Sequence, residues 1–292
     1  MHGRDLGWRL IAVGPTVVIL LALTALPIAL LLVMSLHEIR WEGGQAQWTY
    51  LGFANYAELP RNPFYAVSLR NTFVFVFAAV VIEMLLGFGL ALLVSRLVRG
   101  RPVYLAIFLI PILVPGIVIG AIWKLMYNFD FGLFNDIVSL VGLPRQDWLG
   151  DARFALASVV LVDVWHWTSF CFLLLLAGLE SLPQDVYEAA KLDGAGFWQE
   201  LRHITLPLMW PVILVTLMTR GLLAFKVFDE VYLLTQGGPG TATEVLSFTV
   251  FRVFFDDDRE GFGSAMSISL IVMVLALLLL ARAVTRPRSG PA

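Results

Sequence analysis

Residues 181–207 read SLPQDVYEAAKLDGAGFWQELRHITLP, a polar stretch wedged between two long apolar runs, 154–180 and 207–234. Pro183 before Gln184 and Asp185 predicts a helix start, with an acid in the first turn where the helix dipole favours it. Gly194 and Gly196 interrupt that helix, and a second amphipathic piece through Phe197, Leu201 and Ile204 runs up to Pro207. The segment therefore predicts a short helix-turn-helix at a membrane surface. The small side chains of Ala189 and Ala190 would let another protein approach closely. The plainer alternative is an amphipathic helix resting on lipid.

Outward from this loop the chain is apolar. A spanning helix needs about 20 mostly apolar residues to cross roughly 30 Å of hydrocarbon, and six stretches qualify: 10–36, 68–94, 103–127, 154–180, 207–234 and 262–284. Of the 292 residues, 59% are apolar and 14% charged, against about 45–50% and 25% in soluble domains. With a mean hydropathy of +0.82, this composition excludes a soluble enzyme or a disordered chain. The net charge of −2 gives no basic footprint for nucleic acid. The first run is too long for a signal-peptide core and lacks a small-x-small cleavage site, so it reads as retained. Lys and Arg near the span ends favour one orientation. With the N-terminus inside, ten fall in cytoplasmic segments, including Arg96, Arg99, Arg101, Arg286 and Arg288, and six in longer external loops. Both termini are expected to be cytoplasmic. The division is 1–9 N-terminus, 10–284 a single six-span domain with the loop 181–206, and 285–292 tail. The external run Gly237-Gly238-Pro239-Gly240 reads as flexible.

The loop's spacing resembles the signature of binding-protein-dependent ABC importer permeases: Glu-Ala-Ala, three residues, Gly, nine residues, Ile-x-Leu-Pro. The matches are Glu188, Ala189, Ala190, Gly194, Ile204, Leu206 and Pro207, with Asp193 inside the same turn. The resemblance covers nearly the whole chain and narrows to the sugar-import branch. It includes Gly52-Phe53-Ala54-Asn55-Tyr56, Asn71-Thr72, Pro111, Pro115, Trp123-Lys124, Asp130-x-Gly132-Leu133-x-Asn135, and the stretch from Phe228-Asp229 through Gly237-Gly238-Pro239. This last element is similar to the maltose and glycerol-phosphate type of first permease, in a compact six-span version. The resemblance implies an all-α, type I importer permease fold in a bacterial or archaeal inner membrane. It also implies a coupling helix that docks in the ATPase subunit, a second homologous permease, two ATPase subunits and an external solute-binding protein.

The chain has three lysines, Lys124, Lys191 and Lys226, none in a phosphate-cradling Gly-x-x-x-x-Gly-Lys-Ser/Thr loop. No cofactor is expected on this chain, ATP and Mg belonging to the partner ATPases. Four scattered histidines offer no metal-ligand spacing, Cys171 is the single cysteine, and no nucleophile-elbow serine is present. The chain is not expected to be an enzyme.

Ionisable groups inside spans are costly and mark candidate sites. Asp163, His166, Trp167 and Phe170 share one helix face, and Arg220, Leu223 and Ala224 another. Asp163 and Arg220 lie at similar depth on the helices flanking the loop. Counted from the loop glutamate, the sugar-contacting positions of the maltose-type relative fall on Asp163, Trp167, Phe170, Arg220, Leu223 and Ala224. The alternative is that Asp163 and Arg220 pair as structural glue. An intramembrane Arg departs from the neutral group expected for maltose and leaves open an anionic sugar or phosphodiester-like solute. Taken as a site residue, Arg220 predicts that Arg220→Ala abolishes transport with assembly intact. Glu83 has no evident partner in the sequence. Lys226, Asp229 and Glu230 have the spacing to pair along one helix, and Lys124 sits where snorkelling is expected. Gly116 and Gly120 form a small-xxx-small pair suited to close packing. The competing function classes are an ion-coupled secondary transporter, which would bring inverted repeats and broken helices not expected here, and a non-transporting scaffold.

Overall fold

A computed structural model describes residues 2–97 and 99–285, with side chains described between Val13 and Leu280 except Val98. The predicted tail beyond Thr285 and the side chains of Arg4 and Arg9 lie outside the described residues. Five helical stretches are long and apolar enough to cross a membrane: 13–35, Pro63–Ser95, Ala155–Glu180, Phe197–Ala224 and Glu260–Leu280. The bent pair Arg101–Leu113 and Gly116–Met126 makes a sixth if it counts as one span. The chain divides into two compact units, residues 1–66 with 249–276, and residues 67–248 with 277–292.

In the first unit, α1 (His2–Ser35) leads into an antiparallel hairpin, β1 (His37–Glu42) and β2 (Gln45–Tyr50), in the register His37↔Tyr50 to Glu42↔Gln45. Gly43 and Gly44, with φ of 59° and 79°, make the two-residue turn that demands positive φ at both central positions. None of the apolar window of α1 is buried in the chain. α2 (Ala54–Glu58) is pinned by Asn55, whose amide donates to the carbonyls of Ser35 at 2.9 Å and His37 at 3.1 Å. Leu59, Val253, Phe262 and Met266 form the unit's core, and Trp41 donates to Glu260 at 2.5 Å. Among the described residues this hairpin is the one sheet in an otherwise helical chain.

The second unit carries the elements from residue 67 to 248 and the end of the last helix, whose residues 260–276 belong to the first unit. α3 (Pro63–Ser95), α4 (Arg101–Leu113), α5 (Gly116–Met126), α6 (Leu133–Leu140) and α7 (Ala155–Glu180) are followed by α8 (Gln184–Leu192) and α9 (Phe197–Glu200). A π-helical turn, Leu201–Thr205, joins α9 to α10 (Leu206–Ala224), and α11 (Asp229–Leu234), α12 (Leu246–Phe251) and α13 (Glu260–Thr285) complete the chain. Three expectations are corrected here. The third span is not one straight helix: α4 and α5 meet at 96°. Val114 is extended (ψ 126°) before Pro115 (ψ 140°), because proline disfavours a helical predecessor and has no N–H to continue the ladder. A broken helix is therefore present, and its expected absence no longer separates the function classes. The fifth span ends at Ala224 rather than at 234, and residues 229–234 form a separate helix. Lys226 and Asp229 accordingly lie on different elements and do not pair along one helix. The Gly237–Gly240 run is folded, not loose: Thr243 Oγ1 donates to Gly238 O at 2.8 Å and meets Thr235 Oγ1 at 2.7 Å.

The Gly116/Gly120 pair has a location, the α5–α11 contact. A Cβ on Gly120 would lie 2.5 Å from Leu233 Cδ1 and 2.7 Å from Leu233 Cβ. Gly120→Val is expected to lower the melting temperature of the purified chain, by an overpacking cost of about 1–3 kcal/mol. Gly89→Ala, at a position with nothing within 4 Å, should leave it equal or higher. Equal melting of the Val variant and the wild type would show that α5 and α11 do not pack this closely.

Candidate functional site

The 181–206 loop folds much as its residues predict. α8 begins after Pro183 and has no buried residue. Glu188 and Ala189 are exposed and Ala190 half-buried. Its end closes on Gly194, with φ +75°: Asp193 N–H donates to Ala189 O at 3.1 Å and Ala195 N–H to Ala190 O at 2.9 Å. A left-handed glycine satisfying the last carbonyls is the usual physical solution at a helix C-terminus. The turn lifts Leu192 and Trp198 into the open, 90% and 75% exposed. Ile204 falls in the π turn rather than in a regular amphipathic helix, and Leu206 and Pro207 open α10 without breaking it.

Two further contacts fix this loop and were not singled out from the sequence. Tyr187 Oη lies 3.0 Å from Thr205 Oγ1, tying α8 to the π turn. Arg96, at the end of α3, faces buried Glu200 at 3.5 Å and stands 4.3 Å over the Phe197 ring. Arg101 pairs with Glu180 at the end of α7. Of these two arginines, counted in the sequence as orientation signals, Arg96 ties the loop to the end of α3 and Arg101 ties α4 to the end of α7. A cavity of about 370 Å³ beside Arg96 is also bordered by Glu180, Tyr187 and Lys191.

The second feature is a buried charge cluster. Arg220 on α10 is fully buried, its Nε donating to Glu83 Oε2 at 2.5 Å and its Nη2 to Glu83 Oε1 at 2.8 Å. The same Nη2 also donates to Asp163 Oδ2 on α7. The guanidinium carbon sits 4.9 Å from the Trp167 ring centroid. One planar fork thus joins three spanning helices, which suits arginine and not lysine. The expected pairing of Asp163 with Arg220 is present, and Glu83 supplies the bidentate partner that the sequence could not identify. Two carboxylates against one guanidinium leave no spare positive charge on Arg220.

Trp167 and Phe170, both half-buried, meet edge to face at 5.8 Å. Leu223 is half-buried beside them in the sequence-predicted set, and Ala224 is buried. His166 is buried with no hydrogen-bond partner on Nδ1, which stands 3.7 Å from Glu230 Oε1. No group of three His, Cys, Asp or Glu with metal-holding geometry occurs among the described residues.

With this geometry in hand, comparison with known proteins is specific. The chain belongs to the family described as binding-protein-dependent transport system inner membrane component, which matches residues 83–287. It is a permease subunit of an ABC importer and not an enzyme; such permeases work with a solute-binding protein and a separate ATPase. It is 43% identical over 227 residues to the trehalose/maltose transport system permease protein MalF of Thermococcus litoralis, covering 78% of this chain and 77% of that one. It is 31% identical to the sulfoquinovosyl glycerol transport system permease protein SmoG of Agrobacterium fabrum, covering 94% and 89%. A bacterial alginate ABC transporter chain has the same fold, with a TM-score of 0.85 over 97% of this chain and 95% of that one at 23% identity.

Proposed function

We infer that this permease carries an uncharged carbohydrate delivered by an external binding protein, paired with a homologous second permease over two ATPase subunits. The observation that carries this reading is the family's Glu-Ala-Ala loop, standing out on a helix with no buried residue. The relative named for trehalose and maltose supports the neutral-sugar class, whereas the one named for sulfoquinovosyl glycerol handles a sulfonated, anionic glycoside. Arg220, whose charge left an anionic solute open, is taken up by Glu83 and Asp163, so the charge pattern favours neutral sugars.

In this reading residues 10–284 act as one permease domain with both termini cytoplasmic, in an inner membrane. Glu188, Ala189, Ala190, Asp193 and Gly194 form the ATPase-facing surface, and Ile204, Leu206 and Pro207 transmit its movement into α10. Trp167, Phe170 and Leu223 offer apolar faces to a sugar ring, and Asp163, His166, Arg220 and Ala224 shape the wall behind them. ATP and Mg are bound by the partner subunits. ATP-driven closure would move α8 as a lever on α7 and α10, the helices that carry Asp163 and Arg220.

The test is reconstitution of whatever co-purifies with the tagged chain from its native membrane, followed by uptake of radiolabelled maltose and trehalose. Recovery of an ATPase and a second permease, with uptake that needs ATP and binding protein, is the expected result. Recovery of the chain alone, active on a proton or sodium gradient without ATP, would overturn the reading.

A further inference from the structure

The second unit carries a cavity of about 760 Å³ between α3 and α7, lined by none of Glu83, Asp163 and Arg220. Its long wall is apolar and only half covered: Val74, Ala78 and Ile82 from α3, and Leu161 from α7. At one end the lining changes to Arg70 and Arg153. From Arg70 to Ile82 is twelve helical residues, about 18 Å at roughly 1.5 Å per residue. One leaflet of a roughly 30 Å hydrocarbon core is about 15 Å thick, so the groove has the length of a single leaflet, with Arg70 near the outer end of the expected 68–94 span.

The two arginines differ. Asp151 holds Nε and Nη2 of Arg153, and that guanidinium lowers the Asp151 carboxyl to about 2, so the pair is neutral as a unit. Arg70 is exposed, and among the described residues it forms no ion pair. It therefore carries the unbalanced charge at the mouth of an apolar channel. An apolar partner helix would cover the wall and leave that charge unanswered. A phosphate answers it, because the guanidinium fork matches phosphate oxygens bidentately.

We propose that the α3–α7 groove is a binding site for one anionic phospholipid, its headgroup phosphate on Arg70 and one acyl chain along Val74, Ala78, Ile82 and Leu161. This site does not depend on which solute the permease carries. A lipid there would fill the seam between two of the three helices joined by Arg220, and so steady the cluster from the membrane side.

The experiment is native mass spectrometry of the full-length chain in detergent, titrated with phosphatidylglycerol or with phosphatidylcholine of the same acyl chains. The expected result is one saturable phosphatidylglycerol adduct, with phosphatidylcholine at least tenfold weaker. Arg70→Gln should bring the two lipids within about twofold. Ala78→Trp, filling the acyl half, should remove the adduct while Arg70 is intact. A benzophenone side chain placed at Ala78 in the native membrane should cross-link to phospholipid. Equal binding of the two lipids, an unchanged preference in Arg70→Gln, or cross-linking to a second permease in place of lipid would each overturn the proposal.

Discussion

Arg220→Ala is expected to lose folded protein as well as transport. The substitution leaves Glu83 and Asp163, 0% and 2% exposed, facing each other without their shared cation. Breaking a buried ion pair by removing one partner costs about 3–5 kcal/mol, a large part of a total stability of about 5–15 kcal/mol. This revises the simpler expectation from the sequence, in which only uptake would suffer. The triple variant Glu83→Gln/Asp163→Asn/Arg220→Met removes all three charges together, and its melting temperature in detergent should return most of the way to the wild type. Uptake by that stable triple variant then separates the roles. Absent uptake places these positions in the transport path, whereas normal uptake would reduce the cluster to a structural clamp and end its part in the solute site. An Arg220→Ala chain that melts like the wild type would mean that the cluster contributes no net stability.

The loop should behave in the opposite way. Because α8 buries nothing in the chain, Ala189→Trp and Glu188→Lys should leave the melting temperature of the isolated chain within a degree or two. Uptake should fall at least tenfold, and the ATPase subunit should no longer co-purify. A small residue at the centre of a dock admits a neighbouring backbone, and an indole there prevents the approach. If α8 instead rested on lipid, Ala189→Trp would strengthen that contact and transport would be unaffected. Leu192, almost fully exposed at the tip of the same loop, gives a second probe: Leu192→Asp should weaken ATPase retention without altering the fold.

Much of the candidate site was legible residue by residue. The helix start at Pro183, the break at Gly194 and the family spacing are local properties, carried by backbone chemistry within a few positions. Asn55, Asn71, Thr72 and Asn135, noted as part of a family resemblance, turn out to anchor the folded loops. Asn71 donates to Thr241 O at 2.9 Å and Glu244 O at 3.0 Å, and Thr72 Oγ1 accepts from Leu246 N–H at 2.9 Å. Asn135, fully buried, donates to Gln146 O and accepts from the Gln146 N–H and the Trp148 indole. Such residues bind backbone many positions away, which explains why spacing alone showed that they mattered and not how.

What the sequence by itself determined was therefore the medium, the apolar runs and the local course of the 181–206 loop. Each follows from composition, from runs of about 20 apolar residues, or from turn residues acting within one helical turn. Only the tertiary structure decided that Glu83, with no charged neighbour along its own helix, closes on Arg220 from 137 positions away. It also decided that the fifth span stops at Ala224, where residues 225–228 contain neither Gly nor Pro to mark a break. The physical reason is the same in both cases. A buried charge selects whichever opposite charge the packed helices bring to it, and a helix ends where a neighbouring surface, here α5 against α11, rewards a new direction. Neither choice is written in the residues nearby.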